Sequence, residues 1–357
     1  MRAVILVGGE GTRLRPLTYA VPKQMLPIVE VPLIERVVEH LVGHGVTDVV
    51  LSLGYRPDAF TGAYPTNVCA GATLTYVVES SPLDTAGAIG FAAAQAGVAE
   101  TFLVFNGDVL TDLDITALVR FHRSHGAEGT IALTPVADPS AFGVVPTASD
   151  GRVEAFIEKP APGTAPTNLI NAGTYVLEPA VLARIPPQGR DNIERETFPA
   201  MVEAGVLFAL ASDGYWLDVG TPERYLRAST DLLAGVRPGP PVRGARAAAG
   251  RSWVMDGARN EGAVAGSFLG EGSSVAAAAV VRSSVVGRDA AVGEAAVVEG
   301  SVLMPGARVG AGAEVRDSIV GPGAVIGAGA VVRGGTVVGA CEVVAAGSNH
   351  DAARLPA

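Results

Sequence analysis

A 17-residue repeat in the last third of the chain is the feature that most restricts its fold. Aliphatic residues recur at this spacing in three interleaved columns. The columns are Leu269, Val286, Leu303, Val320 and Val337; Val275, Val292, Val309, Ile326 and Val343; and Val281, Val298, Val315 and Val332. Successive aliphatic residues lie 6, 6 and 5 positions apart, which predicts triangular coils of three short strands with aliphatic side chains pointing inward. The glycines and alanines between them suit tight corners.

The repeat resembles the hexapeptide-repeat left-handed parallel β-helix, and we expect it to mediate homo-oligomerisation. A collagen-like or disordered segment does not explain it, because the glycines lack a three-residue period and the aliphatic residues are regular. Many proteins with this repeat are acyltransferases that use a histidine base on the coils. That alternative fits poorly, because no histidine lies within the counted coils. The histidines are His40, His44, His122, His125 and His350.

The chain before the repeat alternates between buried strands and amphipathic helices. A glycine pair directly follows the first apolar run, Ala3 to Val7, and Leu33 to Val42 carries apolar residues at helical spacing. Further strand-like runs are 46–53, 101–106 and 129–134. This alternation predicts an α/β fold with a Rossmann-like, mostly parallel sheet, whose binding site lies at the carboxyl ends of the strands.

Length and composition support a division into two domains, because 357 residues exceed what one hydrophobic core usually serves. The segment after residue 233 is rich in Pro, Gly, Arg and Ala, which is typical of a linker. We predict a catalytic domain at 1–233, a linker and irregular entry coil at 234–262, the β-helix at 263–346 and a C-terminal tail at 347–357.

Charge and cysteine content limit the partners and the compartment. A net charge of -10 argues against a general nucleic-acid binder, because binding to a phosphate backbone needs a broad basic surface. The apolar run at the N-terminus is too short for a signal peptide or a membrane span, so we expect no membrane partner. Cys69 and Cys341 have no metal-ligand or redox spacing, which favours buried thiols in a reducing, cytoplasmic environment.

The strongest local motif is a glycine-rich turn after the first strand, Gly8-Gly9-Glu10-Gly11-Thr12-Arg13. Glycines at this position let backbone N–H groups approach a phosphate chain, and Arg13 with Lys23 supplies positive charge. The segment is not a P-loop, because no Gly-Lys-Ser/Thr follows at the required spacing. It also departs from the dinucleotide-binding fingerprint, because Arg13 through Pro16 interrupt the expected start of a helix.

The whole segment from Gly8 to Pro27 resembles the signature of the nucleoside-diphosphate-sugar pyrophosphorylases, the sugar-1-phosphate nucleotidyltransferases. Within that family the sequence is most similar to the guanylyltransferases that act on mannose 1-phosphate. Later motifs that carry this resemblance are Phe105-Asn-Gly-Asp-Val, Phe156-Ile-Glu-Lys-Pro, Ile170-Asn-Ala-Gly-Thr-Tyr-Val and Tyr215-Trp-Leu-Asp-Val-Gly-Thr-Pro. The resemblance covers residues 1 to about 230 and makes the first domain a nucleotidyltransferase domain.

The resemblance implies a Mg²⁺-dependent enzyme that transfers a nucleoside monophosphate from an NTP, with GTP preferred, to a sugar 1-phosphate, with mannose 1-phosphate preferred. Its products would be an NDP-sugar and pyrophosphate. Two alternatives stay open. One is a uridylyl-, thymidylyl- or adenylyltransferase acting on glucose 1-phosphate or a sugar-like cyclitol phosphate. The other is a regulatory subunit that has lost catalysis.

The same resemblance assigns roles to individual residues. Two aspartates from distant segments, Asp108 and Asp218, suit a Mg²⁺ ion that substrate phosphates also coordinate. The predicted catalytic residues are Arg13, Lys23, Asp108, Lys159 and Asp218. The predicted nucleotide-binding residues are Val7, Gly8, Gly9, Gly11, Thr12, Arg13, Lys23, Glu79, Asp84, Gly87, Asn106 and Gly107. The predicted sugar-phosphate-binding residues are Gly143, Glu158, Lys159, Asn171 and Thr174.

Two details of the sequence leave alternatives. Asp84 stands where the family commonly has Gly, so Asp84 or Glu79 could accept hydrogen bonds from guanine N1–H and N2–H₂. His40 and His44 share one helix face at four-residue spacing and could in principle bind a metal ion. Two histidines without a third ligand are also typical of a polar helix face that binds no metal ion.

Overall fold

The computed structural model describes residues 1–186, 189–237 and 240–356. Pro238 and Gly239 of the predicted linker and Ala357 of the predicted tail lie outside these residues. The chain divides into two compact units, one of Met1–Gly9 with Ile34–Trp216 and the other of Glu10–Leu33 with Leu217–Ala357. Within the described part of the chain, no helix is both long and apolar enough to cross a bilayer.

The helices are short and lie before the repeat. The α-helices are α1 Leu33–Gly43, α2 Pro57–Ala63, α3 Asp84–Gln95, α4 Ile115–His125, α5 Phe198–Glu203 and α6 Pro222–Leu233. The 3₁₀ turns are Thr12–Leu14, Leu17–Tyr19, Lys23–Met25, Pro179–Arg184 and Ala249–Arg251, and Ile193–Thr197 forms a π-helix. Asp114 caps α4 by accepting a hydrogen bond from Ala117 N at 2.9 Å, as an N-cap aspartate should.

The described residues before the linker form fourteen strands. They are β1 Arg2–Val7, β2 Pro27–Ile28, β3 Val31–Pro32, β4 Asp48–Leu53, β5 Val68–Cys69, β6 Ala72–Val78, β7 Phe102–Asn106, β8 Val109–Thr111, β9 Gly129–Pro135, β10 Gly143–Val144, β11 Ile157–Glu158, β12 Leu169–Leu177, β13 Leu207–Ala211 and β14 Trp216–Asp218.

The first unit is built on a ten-stranded sheet. Its main path is β11-β10-β12-β7-β1-β4-β6-β5, and β9 joins β12 to β13. Strands β7, β1, β4 and β6 run parallel, so their carboxyl ends meet at one edge. Strand β12 runs antiparallel to β7 and β9, which makes the sheet mixed. The predicted α/β class is therefore confirmed.

The repeat forms three faces of stacked parallel strands. The first face contains Arg246–Ala248, Ser252–Val254, Phe268–Leu269, Val285–Val286, Val302–Leu303, Ile319–Val320, Val337–Val338 and Arg354–Leu355, of which only the pair formed by the first two is antiparallel. The second contains Arg259–Asn260, Ser274–Val275, Ala291–Val292, Arg308–Val309, Val325–Ile326 and Val343–Val344. The third contains Ala263–Ala265, Val280–Arg282, Val297–Glu299, Glu314–Arg316, Val331–Arg333 and Asn349–Asp351. The predicted parallel β-helix is confirmed.

Two of the predicted aliphatic columns end on the wrong residue. Val320 pairs with Val338 instead of Val337, and Ile326 pairs with Val344 instead of Val343. Val344 is 3% exposed, whereas Val343 is 68% exposed and points away from the core. The cause is one extra residue at the Gly334-Gly335 corner, where both glycines have positive φ. Strand pairs that span this corner are 18 residues apart, and the step returns to 17 where Val337 pairs with Arg354.

A buried column of hydroxyl side chains crosses the coils, and the aliphatic count did not reveal it. It consists of Ser252, Ser267, Ser284, Ser301, Ser318 and Thr336. Each serine from Ser267 to Ser301 accepts a hydrogen bond from the backbone N–H of the next coil's serine at 3.1 Å. Each also donates to a carbonyl two residues earlier. Because donor and acceptor are both used, the column can be buried without leaving polar atoms unpaired.

The second unit holds the segment Glu10–Leu33 against the coils. Strands β2 and β3 form a hairpin whose two turn residues, Val29 and Glu30, have φ of 46° and 66°. The backbone N–H of Arg288 donates to the Glu30 carboxylate, and burial raises the pKa of Glu30. At the other end of the hairpin, the Tyr225 hydroxyl of α6 donates to Pro27 O. These bonds fix the segment that follows the glycine-rich turn.

One expectation about the cysteines is wrong. Cys69 is buried, and burial raises the pKa of its thiol to about 12, as expected of an inert thiol. Cys341 is exposed, because it occupies a corner of the β-helix with φ of 58° and its side chain points outward.

The predicted domain boundaries stay predictions. Strand pairing continues to Leu355, and His350 lies beside Val332 in the third face.

Candidate active site

The carboxyl edge of the sheet brings together many of the residues predicted in the first unit. Val7 ends β1, and Gly8 lies so close to the end of β4 that a Cβ on Gly54 would be 3.1 Å from Gly8 O. Gly107, after β7, donates its N–H to Leu6 O at 3.0 Å, and a Cβ there would lie 2.6 Å from Val7 Cγ1. These glycines pack the loops tightly and leave Gly8 and Gly9 exposed at the edge.

A bulge in β12 shapes the part of this edge beside β7. The register between β12 and β9 shifts between Asn171 and Tyr175, where the bulged strand carries two extra residues. Asn171 Nδ2 donates to the Tyr175 hydroxyl at 2.8 Å, and its Oδ1 accepts from Gly173 N at 2.9 Å. Gly173 has φ of 72°, and a Cβ there would lie 2.6 Å from Asn106 Nδ2. The bulge thus places Gly173 against Asn106, whereas Thr174 is buried within the sheet.

Glu158 and Lys159 lie at the end of β11 and form an ion pair of 3.0 Å. Lys159 has φ of 49°, an unusual conformation for a residue with a side chain, and its side chain is 60% exposed. Gly143 pairs with Glu158 in the antiparallel β10–β11 ladder, and a Cβ on Gly143 would be 3.1 Å from Glu158 Oε2. Lys159 must exchange its Glu158 partner for a phosphate if it binds the acceptor as predicted.

The predicted base-reading turn is held by its own carboxylates. Glu79 accepts hydrogen bonds from Ser52 Oγ at 3.1 Å and from Leu83 N at 3.2 Å. Asp84 has φ of 61°, and its Oδ1 accepts from Thr85 N at 2.9 Å. These bonds use some of the acceptor capacity that base recognition would need.

Gly87 has a structural reason to be glycine. A Cβ on it would lie 2.7 Å from Gly189 O, so a side chain would force the 189–191 segment away. Its N–H donates to Asp191 O at 3.2 Å. The structure therefore explains Gly87 by packing within the first unit, and its nucleotide-binding role stays a prediction.

In the second unit, Gly11 packs against the segment that carries Lys23. Gly11 has φ of 63°, and a Cβ there would meet Lys23 Cβ at 3.0 Å and Thr18 Cγ2 at 3.1 Å. Thr18 Oγ1 donates to Gly11 O at 2.9 Å. Thr12 and Arg13 begin a 3₁₀ turn and are exposed. The two predicted phosphate-binding cations therefore belong to one compact loop.

Asp218 is oriented by a partner that sequence reasoning missed. Arg224 Nη1, on the first turns of α6, donates to Asp218 Oδ2 at 2.7 Å. A Cβ on Gly220 would lie 2.7 Å from Arg13 Nη2 and 2.8 Å from Asp218 Oδ1. Gly220 therefore leaves room for the guanidinium and the carboxylate in the same place. The signal that could have revealed Arg224 is its position just after the Asp-Val-Gly-Thr-Pro helix start.

The donor chemistry fits a divalent cation that substrate phosphates help to bind. Among the described residues, no group of three or more His, Cys, Asp and Glu side chains could hold a metal ion on its own. Carboxylate oxygens such as those of Asp108 and Asp218 are the ligands that Mg²⁺ prefers.

The histidine pair on α1 has other contacts: His40 Nε2 lies 2.9 Å from Leu113 O, and His44 Nδ1 lies 2.9 Å from Thr116 Oγ1.

Comparison with protein families gives two matches along the chain. The model of the nucleotidyl transferase family matches residues 2–235. The model of the GlmU-like C-terminal hexapeptide matches residues 250–339, which agrees with a left-handed β-helix.

Characterised relatives match much of the chain. A mannose-1-phosphate guanylyltransferase of Mycobacterium tuberculosis is 42% identical over 279 residues, which cover 76% of each protein. A mannose-1-phosphate guanyltransferase of Schizosaccharomyces pombe is 42% identical over 248 residues, and the match covers 66% of each protein.

Solved structures share the fold of the N-terminal region. HddC from Yersinia pseudotuberculosis has a TM-score of 0.56 and 31% identity, over 64% of this chain and 97% of that one. The same protein is known in complex with GMP-PN. A putative glucose-1-phosphate thymidylyltransferase from Bacillus anthracis has a TM-score of 0.60 and 25% identity, over 68% of this chain and 98% of that one.

Proposed function

Because the chain belongs to the nucleotidyl transferase family, we propose that it transfers GMP from GTP to mannose 1-phosphate, giving GDP-mannose and pyrophosphate. The observation that carries this proposal is the arrangement at the carboxyl edge of the sheet. There the glycines after β1, the Asn106-Gly107-Asp108 turn and the β12 bulge meet, as a binding site in a parallel α/β sheet requires. The two relatives named as mannose-1-phosphate guanylyltransferases and the HddC complex with GMP-PN favour guanine and mannose.

The reaction forms a bond between a sugar-phosphate oxygen and the α-phosphorus of the nucleotide. It breaks the bond from that phosphorus to the oxygen that bridges it to the β-phosphorus, so pyrophosphate leaves. This chemistry needs positioning and charge neutralisation more than an acid or a base. Arg13 and Lys23 would neutralise the departing pyrophosphate, and Lys159 would orient the attacking phosphate.

We propose that Asp108 and Asp218 hold Mg²⁺ together with the substrate phosphates. The ion would supply further neutralisation of negative charge when bound. Arg224 fixes the orientation of the Asp218 carboxylate by its hydrogen bond of 2.7 Å. We also propose that the protein acts in the cytoplasm and that its β-helix mediates assembly into a homo-oligomer. Light scattering of the purified protein measures the oligomer size, and a monomer would contradict the assembly.

A substrate panel tests the proposed activity. Pyrophosphate release is measured for GTP, UTP, dTTP, ATP and CTP, each with mannose 1-phosphate, glucose 1-phosphate and a cyclitol phosphate. We expect GTP with mannose 1-phosphate to give the highest kcat/KM. A faster reaction with another pair would replace the base or the sugar in the proposal and keep the reaction class. No pyrophosphate from any pair would instead support a regulatory subunit without catalysis.

A further inference from the structure

The residues from Asp191 to Glu194 are bonded to the predicted base-reading turn along their whole length. Ala86 N donates to Asp191 O at 2.9 Å, and Asp191 N donates to Leu83 O at 3.1 Å. Asn192 Nδ2 donates to Asp84 Oδ1 at 3.1 Å. Residues 191–194 are thus held at the carboxyl edge of the sheet, which we call the substrate edge, although no motif in the sequence pointed to them.

The π-helix that begins at Ile193 holds Glu194 in place. Asn192 Oδ1 accepts from both Glu194 N and Arg195 N, at 3.1 and 3.0 Å, so the helix start is capped. Thr85 Oγ1 accepts from Ile193 N at 2.9 Å. Single π-helical turns are rare and occur frequently at functional sites, where they redirect a side chain.

The carboxylate of Glu194 is costly to keep in this position. Its hydrogen bond from another side chain comes from Thr85 Oγ1 at 3.3 Å, which is long. Burial raises the pKa of Glu194, and the nearby Glu158 and Asp84 carboxylates raise it further. No cation forms an ion pair with Glu194 in the parts of the chain that the structure describes. Glu194 accepts hydrogen bonds from its own backbone N–H and from Thr85, which lower its pKa. An ionised carboxylate has about four acceptor sites, so acceptor capacity is left for a ligand.

We propose that Glu194 determines acceptor specificity by accepting a hydrogen bond from a ring hydroxyl of the sugar phosphate. This inference rests on the proposed function and adds to it a residue that the motifs did not include. Carboxylates only accept hydrogen bonds when ionised, so a hydroxyl group is the matching donor on a neutral sugar ring. An acceptor that lacks this hydroxyl would leave the half-buried carboxylate with less hydrogen bonding and would be disfavoured.

The neighbours of Glu194 favour the sugar over the nucleotide. Phe198 directly follows the π-helix, and its ring lies 5.1 Å from the Tyr175 ring and 5.5 Å from the Phe156 ring. Burial raises the pKa of Tyr175, and the Glu194 and Glu158 carboxylates raise it further. The Tyr175 hydroxyl accepts the hydrogen bond of Asn171 at 2.8 Å. Glu158 and Asn171 are the residues predicted to contact the sugar. The π-helix that carries Glu194 therefore leads into a residue packed against Tyr175 on the strand of Asn171, and the Glu158 carboxylate raises the pKa of Glu194.

The Glu194→Gln variant tests the proposal, because glutamine keeps the size and the Thr85 hydrogen bond but removes the charge. We expect kcat/KM for mannose 1-phosphate to fall roughly 10- to 100-fold, the worth of one hydrogen bond to a charged group, while KM for GTP stays within about 2-fold. Glu196→Gln is the matched control, because Glu196 is exposed on the same π-helix and should change neither constant. Thermal unfolding of both variants checks that the fold is intact.

Deoxy analogues of mannose 1-phosphate separate recognition from a merely structural role. The wild-type enzyme should discriminate against the one analogue that lacks the recognised hydroxyl, and Glu194→Gln should lose that discrimination. Equal losses with every analogue, or a larger effect on GTP, would overturn the proposal. If the wild-type enzyme is active and Glu194→Gln matches it, only this inference fails. If the wild-type enzyme is inactive with every substrate pair, the proposed function fails as well.

Discussion

Lys159 at the substrate edge and Leu303 in the β-helix have opposite relations to their surroundings. Lys159 adopts a strained backbone conformation, exposes most of its side chain and lies next to the partly buried Glu158. Leu303 is fully buried in a regular column between Val286 and Val320. Backbone strain and incompletely paired charges are typical of residues that bind a ligand. Burial of apolar side chains in a regular column instead stabilises the fold. Substitutions in the two regions should therefore affect different measurements.

The largest effect that this comparison predicts is on catalysis. Asp108→Asn and Asp218→Asn should each lower kcat/KM roughly 100- to 1000-fold, because each removes a charge that positions the reacting phosphates. Both side chains are only partly buried, so the melting temperature should change by less than a few degrees. Pyrophosphate release and thermal unfolding measure the two quantities.

Near-normal turnover in both aspartate variants would remove the proposed metal site. A large loss of stability in either would show that the substrate edge also supports the fold, which would break the comparison. Glu196→Gln again serves as the control for removing an exposed carboxylate from the same protein.

The next effect is on stability. Leu303→Ala should lower the free energy of unfolding by about 3 kcal/mol, because a fully buried leucine leaves a cavity that rigid coils cannot fill. Denaturant unfolding measures the change, and kcat for the surviving folded enzyme should stay close to that of the wild type. Loss of kcat without loss of stability would contradict the division of roles.

The smallest effect distinguishes neighbouring valines beyond the extra residue. Val344→Ala should cost roughly 1.5 kcal/mol, because it removes two buried methyl groups, whereas Val343→Ala should change stability by less than about 0.5 kcal/mol. The two variants differ only in position, so each is the other's control. An equal loss of stability in the two variants, or a larger loss in Val343→Ala, would indicate that the 17-residue spacing continues into the last coil.

The sequence predicted the β-helix well because its core is a periodic pattern that counting can detect. Counting failed at Gly334-Gly335, because one added residue changes the step without any change in composition. It also missed the serine column, since a polar residue recurring every 17 positions signals burial only when its hydrogen bonds are known.

At the substrate edge, the sequence predicted the residues that belong to contiguous motifs. Gly173 was missed as a bulge residue because its role depends on the approach of Asn106, which is distant in sequence. Glu194 and Arg224 were missed for a similar reason: each is defined by a contact with a residue in another motif or element. The role of a partner residue is visible only when the fold brings the motifs together.

The bond from the Arg288 N–H to Glu30 limits how this protein can be recombined. The two matched family segments meet between residues 235 and 250, which suggests exchangeable modules. Glu30, however, lies in the first segment and takes its hydrogen bond from a coil of the second. A chimaera that carries the β-helix of another protein would need a backbone N–H donor at the position of Arg288. Otherwise the hairpin that follows Lys23 would keep its bond to Tyr225 but lose the one to Arg288, and the predicted phosphate-binding loop would be loosened by a change made more than 200 positions away.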